Sequence, residues 1–132
     1  MVAGLVGLFY AGSLFLRLPW VIAVQAFAVL LMLWARITFG RRSFHASATP
    51  TAGGLVSTGP YRFIRHPIYT AVMFFVWPGA IALHSPAAIG FAVLISVGAI
   101  VRMLREEDLL ARQYPAYVEY ARATKRMIPY VF

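Results

Sequence analysis

Gly59-Pro60-Tyr61-Arg62-Phe63-Ile64-Arg65-His66-Pro67-Ile68-Tyr69 sets two arginines, a histidine and two tyrosines at the start of a hydrophobic segment that begins at Ile68. Polar and ionisable groups this close to an apolar span are costly unless they are paired or bind something, so the junction marks a functional site at a membrane edge. Toward the C-terminus, Ile68 to Leu83 reads as one span and Pro86 to about Leu104 as the next, with only His84-Ser85-Pro86 between them. That spacing predicts a helical hairpin. At its far exit stands a second polar run, Arg102-Met103-Leu104-Arg105-Glu106-Glu107-Asp108, which holds three of the chain's four acidic residues. A hairpin returns the chain to the side it left. The two polar runs are therefore expected at one end of two adjacent helices.

Composition agrees with a membrane setting. Of 132 residues, 61% are hydrophobic and 12% charged, where soluble domains carry about 25% charged residues. The fold class expected is all-α: a single integral membrane domain over 1–132, with about four spans at 1–16, 20–37, 68–83 and 86–104. Met1 has no basic region behind it and no cleavage pattern after it, so a removable signal peptide is not expected. Arg17-Leu18-Pro19-Trp20 reads as a tight turn with an interfacial tryptophan. Gln25, the one strongly polar residue of the second span, reads as a helix-packing contact. Trp77-Pro78-Gly79 should kink the third span. Ser43 to Gly59 is rich in Ser, Thr, Ala, Gly and Pro; it is either a linker or a binding loop. The fourth helix should continue to Arg112 and end at Tyr114-Pro115, leaving a tail folded back at the interface.

The net charge of +8 is unevenly placed. Arg36, Arg41, Arg42, Arg62 and Arg65 lie between spans two and three; Arg102, Arg105, Arg112, Arg122, Lys125 and Arg126 lie at or beyond the end of span four; only Arg17 lies opposite. Such asymmetry is what the positive-inside rule produces, so both termini and the polar runs should face the cytoplasm of a multi-pass protein in the inner or plasma membrane. It argues against nucleic acid as a partner. There is no cysteine, hence no disulfide, thiolate metal site or cysteine nucleophile. Cys/His metal spacing, a P-loop and a G-x-S-x-G elbow are also missing, and no metal is expected.

Pro67 lacks an amide proton and suits the first helical position, so it should start the third span. It also holds His66 away from helical geometry. Free amides at that helix start favour a negative ligand group such as a carboxylate. His66 and Tyr69 are three apart and can converge on one ligand; equally, His66 can cap the helix while Tyr69 joins an interfacial aromatic belt. In the second run Arg102 and Glu106 are four apart and share a helical face. Glu107 lies about 140° around the axis from Arg102. A solvated Arg102–Glu106 ion pair explains the spacing as well as a binding site does. It does not explain why the acids gather here. An acidic patch amid arginines can accept from ribose hydroxyls or pair with an ammonium, while an arginine holds an anion.

The stretch Leu55-Val56-Ser57-Thr58-Gly59-Pro60-Tyr61-Arg62-Phe63-Ile64-Arg65-His66-Pro67-Ile68-Tyr69 resembles the L-V-x-x-G-x-Y-x-x-x-R-H-P-x-Y signature of the isoprenylcysteine carboxyl methyltransferase family. The run from Arg102 through Glu107, then Tyr114, Tyr117, Tyr120, Arg126 and Pro129, is similar to that family's C-terminal part; related phospholipid methyltransferases share a version of this core. The resemblance covers roughly Gly53 to Pro129. It implies a membrane enzyme that transfers a methyl group from S-adenosylmethionine. By position it implies cofactor contacts from Gly53, Gly54, Leu55, Val56, Tyr61, His66, Pro67, Ile68, Tyr69 and Glu106, with Arg102 as the catalytic residue facing the methyl acceptor.

The reading is thus an S-adenosylmethionine-dependent methyltransferase acting on a lipid-soluble acceptor, expected to be a carboxylate. A carboxylate needs no general base, which leaves alignment and water exclusion as the protein's task. The alternatives are a phospholipid amine methyltransferase, a nicotinamide-dependent membrane reductase and a membrane scaffold without turnover. Oligomeric state is left open.

Overall fold

The computed structural model describes residues 2–10, 17–40 and 55–130. Gly53, Gly54, the first part of the Ser43–Gly59 loop and the last residues of the expected first span lie outside them. The described elements are helices α1 (Val2–Tyr10), α2 (Pro19–Phe39), α3 (Pro67–Leu83), α4 (Pro86–Gln113) and α5 (Tyr117–Ala123), with a 3-10 turn at Gly59–Arg62 before α3. No strand forms among the described residues, only an isolated parallel bridge between Ile64 and Lys125.

Proline sets the helix starts. Pro19, Pro67 and Pro86 each stand in the first turn of a long helix, where the missing amide costs nothing and φ is already helical. α3 runs on through Pro78 to Leu83 and ends at His84, which adopts the left-handed conformation with φ 52. Ser85 is then extended and α4 begins at once. The expected hairpin is therefore present. At the other end Tyr114 is extended before Pro115, as a residue preceding proline prefers.

In space α2 packs on α3, α3 on α4 and α4 on α1. The buried stripe of α4 is Ala88, Ala92, Ile95, Ala99 and Met103, a helical repeat whose small members let α3 approach closely. Leu8, Val76 and Ala80 complete that core. α1 comes close because it has no side chain at two places: a Cβ on Gly4 would sit 2.6 Å from Ile95, and one on Gly7 2.5 Å from the Phe91 ring. Gln25 donates to the Phe75 carbonyl at 3.1 Å, tying α2 to α3, as its packing role predicted. The Trp77 indole donates to the Ser96 hydroxyl at 3.1 Å, tying α3 to α4.

α2 and α4 are long and apolar enough to cross a membrane; α3, with 17 residues, and the described part of α1, with nine, are shorter. Large apolar side chains such as Leu30 (66% exposed), Ile37 (78%) and Val97 (53%) face outward. An apolar exterior on this scale marks a lipid-facing surface. α4 has 28 residues, about 42 Å at 1.5 Å per residue, which exceeds a hydrocarbon core of about 30 Å. Its apolar part ends near Leu104. The turns that carry Glu106 and Glu107 therefore project beyond it.

Candidate active site

The site forms where that projection meets the start of α3. Gly59 makes the approach possible: its φ is +57, and a Cβ there would lie 2.5 Å from Thr38 Oγ1 on α2. From Ile64 onward the backbone pairs with the tail. The Arg65 amide donates to the Lys125 carbonyl at 2.7 Å and the His66 amide to the Arg126 carbonyl at 2.9 Å. The tail does fold back, and its hydrogen-bond partner is this segment. The Thr70 hydroxyl lies within bonding distance of two carbonyls, His66 at 3.1 Å and Met127 at 2.8 Å.

His66 stands at the N-cap position of α3 with φ −124, yet its side chain makes no capping bond. Its Nε2 lies instead 3.1 Å from Glu107 Oε1. Glu107 also accepts from Arg65 Nε at 2.8 Å and from Arg126 Nε, on its other oxygen, at 3.0 Å. The Arg65 guanidinium turns further to the carbonyls of Ala121 and Thr124. The side chains of Arg65, His66 and Glu107 are only 8%, 6% and 13% exposed. Burial pushes the Glu107 carboxyl up, but the hydrogen bonds from His66, Arg65 and Arg126 outweigh it and hold the pKa at about 2. Such a carboxylate stays ionised because its charged form is the hydrogen-bonded one.

Glu106, one residue away, makes a second and more open group. The Tyr69 hydroxyl donates to its Oε1 at 2.8 Å and Arg102 Nε donates to the same oxygen at 3.0 Å. Here the exposures are 22% for Glu106 and 40% for Arg102. The Arg102–Glu106 pair is therefore real, and it is joined to α3 through Tyr69. The His66 and Tyr69 rings lie 5.7 Å apart and connect the two groups.

Three tyrosines close the rim. Tyr61 is buried, its ring 5.5 Å from Phe39, and its carbonyl accepts from the Tyr120 hydroxyl at 2.6 Å. Burial, then the neighbouring Tyr120 and Glu106, push the Tyr61 phenol up. Burial also raises Tyr120 to about 12, against the pull of Arg65. The Tyr117 hydroxyl is buried with no hydrogen-bond partner among the described residues; burial, then the charge of Glu107, raises its pKa.

Of the residues singled out from sequence, Tyr61, His66, Pro67, Tyr69, Arg102 and Glu106 lie together in this region. Ile68 is half-buried in the first turn of α3; Leu55 and Val56 are half-buried in the approach to Gly59. Gly54 lies outside the described residues. Sequence reasoning did not foresee the pairing of Glu107 with Arg65 and Arg126. The available signal was Glu107's angular offset from Arg102, which turns it toward a different neighbour.

Comparison with known proteins bears on the same region. The model of the phospholipid methyltransferase family, the family of the isoprenylcysteine carboxyl methyltransferase-like fold, matches residues 21–117. That stretch takes in α2 from its third residue, α3, α4 and both polar runs. The nickel-cobalt-cadmium resistance protein NccN of Alcaligenes xylosoxydans xylosoxydans is 38% identical over 80 residues, 57% of this chain and 36% of that protein. The cobalt-zinc-cadmium resistance protein CzcN of Cupriavidus metallidurans is 33% identical over 78 residues, 57% of this chain and 35% of that protein. The chain thus spans about a third of the length of these curated relatives. No solved structure matches it. With a family match that covers most of the chain and both clusters of the site, the protein belongs to the phospholipid methyltransferase family.

Proposed function

We propose that this protein is a multi-pass membrane methyltransferase that binds S-adenosylmethionine at the cytoplasmic end of α3 and α4 and methylates a lipid-soluble acceptor, with a carboxylate as the accepting group. The observation that carries this reading is the partly open Glu106–Arg102 pair, joined to the buried Tyr69, at the end of an apolar hairpin, in a chain of this family. When bound, the cofactor supplies a methyl group already activated on a sulfonium.

The residues present fit such a ligand. Glu106 lies on a partly open face and can accept from ribose hydroxyls or hold an ammonium. The Tyr117 hydroxyl is a buried donor without a partner among the described residues. Tyr61, His66, Pro67, Ile68 and Tyr69 form the wall of the site, with Leu55 and Val56 on the approach. Arg102, 40% exposed at the end of the apolar part of α4, can orient an anionic head arriving from the bilayer. The protein's contribution is then alignment and exclusion of water rather than proton transfer. The positive-inside asymmetry supports a four-span arrangement with this end in the cytoplasm.

A second reading, an amine methyltransferase acting on a phospholipid, has the family's own description behind it. Arg102 would then hold phosphate, and a further group would have to take the amine proton. Calorimetry of the detergent-purified protein with S-adenosylmethionine, S-adenosylhomocysteine and reduced nicotinamide cofactors tests the shared premise. Binding of the first two supports it; binding of the nicotinamides alone would replace it with a reductase. Methyl transfer to fatty or prenyl carboxylates against phosphatidylethanolamine then separates the two acceptors.

A further inference from the structure

The segment Thr124 to Met127 lies as a strap across the start of α3. It is bonded there by the Ile64–Lys125 bridge, the Arg65 and His66 amides and the Thr70 hydroxyl, and Met127 packs against the cluster of Tyr69, Ala99 and Met103. Beneath it His66 is 6% exposed and Tyr69 9%. A ligand that is to touch these two side chains therefore has to move the strap.

The ion pairs among these fastenings converge on one carboxylate. Glu107 holds the strap directly through Arg126 and indirectly through Arg65, whose guanidinium also grips the carbonyls of Ala121 and Thr124. One carboxylate thus joins three parts of the chain: the end of α4, the lead-in to α3, and the tail. Along the chain the tail is connected to α4 by the non-helical joint at Tyr114-Pro115-Ala116, where a change of backbone angles can swing α5 and the strap together. Glu107 is already occupied by three donors and 13% exposed, whereas Glu106 keeps an open side. Adjacent acids have therefore divided into a holding role and a ligand-facing role.

We propose that Glu107 is a positioning residue, the latch of a lid made of α5 and the strap, and that the lid opens at the Tyr114–Ala116 joint to admit ligand to His66 and Tyr69, beside Glu106. The identity of the ligand rests on the functional reading above; the latch itself does not.

Amide hydrogen exchange on the full chain in lipid nanodiscs tests both parts. Glu107→Gln should speed exchange at the Arg65 and His66 amides by about tenfold or more and leave the α3–α4 interior, from Val76 to Ala80 and Ala92 to Ala99, at wild-type rates. Asp108→Asn, which breaks only an exposed pair with Arg112, should change neither. Should Glu107→Gln not fold, Arg126→Ala removes one attachment and should give a smaller, few-fold rise in the same segment. Unchanged rates at Arg65 and His66, or an equal rise through the hairpin, would overturn the latch. S-adenosylhomocysteine added to the wild type should slow exchange in the strap, because a ligand beneath a lid favours its closed form. Calorimetric binding with no change in the strap would overturn the lid. Failure to bind at all would overturn the cofactor reading alone, and the Glu107→Gln rates would still decide the latch.

Discussion

Exchanging Glu106 for glutamine, beside Arg102 for alanine, separates ligand binding from simple ion pairing. In the folded protein both donors of this group, the Tyr69 hydroxyl and Arg102 Nε, meet on Glu106 Oε1 at 2.8 and 3.0 Å. With Arg102 at 40% exposure and Glu106 at 22%, the pair is partly solvated and contributes at most about 1 kcal/mol to stability. Glutamine keeps a carbonyl for the Tyr69 hydroxyl, so the fold should lose no more than about that amount. Cofactor binding is different in scale. A charged contact desolvated by ligand costs roughly 2–5 kcal/mol when one partner is removed. Glu106→Gln should therefore weaken S-adenosylmethionine binding by about 30-fold to several thousandfold, by the rule of tenfold per 1.4 kcal/mol. Arg102→Ala should leave binding within a few-fold of wild type and abolish methyl transfer to membrane extracts. Matched calorimetry, melting curves and radiolabelled transfer on the two variants give the answer. Equal losses of cofactor affinity would refute the division between them. Small, equal losses of stability with unchanged affinity would reduce the group to a surface ion pair.

Acid should release the lid. The Glu107 carboxyl is held at about 2, below its ordinary 4.5, so the closed form binds fewer protons than the open one between these values. Arg126 supplies only part of that shift, beside His66 and Arg65, so the closed form gains that part alone; the gain is complete above pH 4.5 and lost as pH falls toward 2. Spin-label distances between Ala123→Cys and Leu109→Cys should lengthen over that window, and Glu107→Gln should remove this part of the dependence; an unchanged distance down to pH 2 would contradict it. Gly59→Ala should lower stability by roughly 2 kcal/mol, because the left-handed conformation penalises a side chain and Thr38 stands 2.5 Å from the added carbon; a melting temperature equal to wild type would count against the close approach of α2. For topology, the chain's lack of cysteine permits single-site labelling from outside intact cells. Ser85→Cys should react and Ala123→Cys should not; the reverse pattern would invert the arrangement. Ala123 is the better tail position because Thr124 is buried and bonded to the Tyr120 carbonyl.

The helical hairpin is legible in the sequence alone. Pro67, His84, Ser85 and Pro86 punctuate it because proline cannot donate an amide and polar residues cannot enter an apolar span at low cost. The four-residue step from Arg102 to Glu106 is likewise a local property of a helix, and the pair forms as spacing requires. The His66 and Tyr69 rings neighbour each other, as a spacing of three allows, and they address different carboxylates. Only the tertiary structure decided which acid serves which partner. Glu106 and Glu107 are equivalent in sequence, and about 100° of helix rotation separates them; which one meets Arg65 depends on how α4 is turned against α3. That rotation is set by the small side chains of the buried stripe, from Ala88 to Met103. The strap is less legible still. Arg65 and the Thr124 carbonyl it holds are 59 residues apart, and no local pattern in either segment names the other. Their pairing exists because packing the hairpin brings two short stretches with unsatisfied backbone groups side by side, each of which satisfies the other away from water.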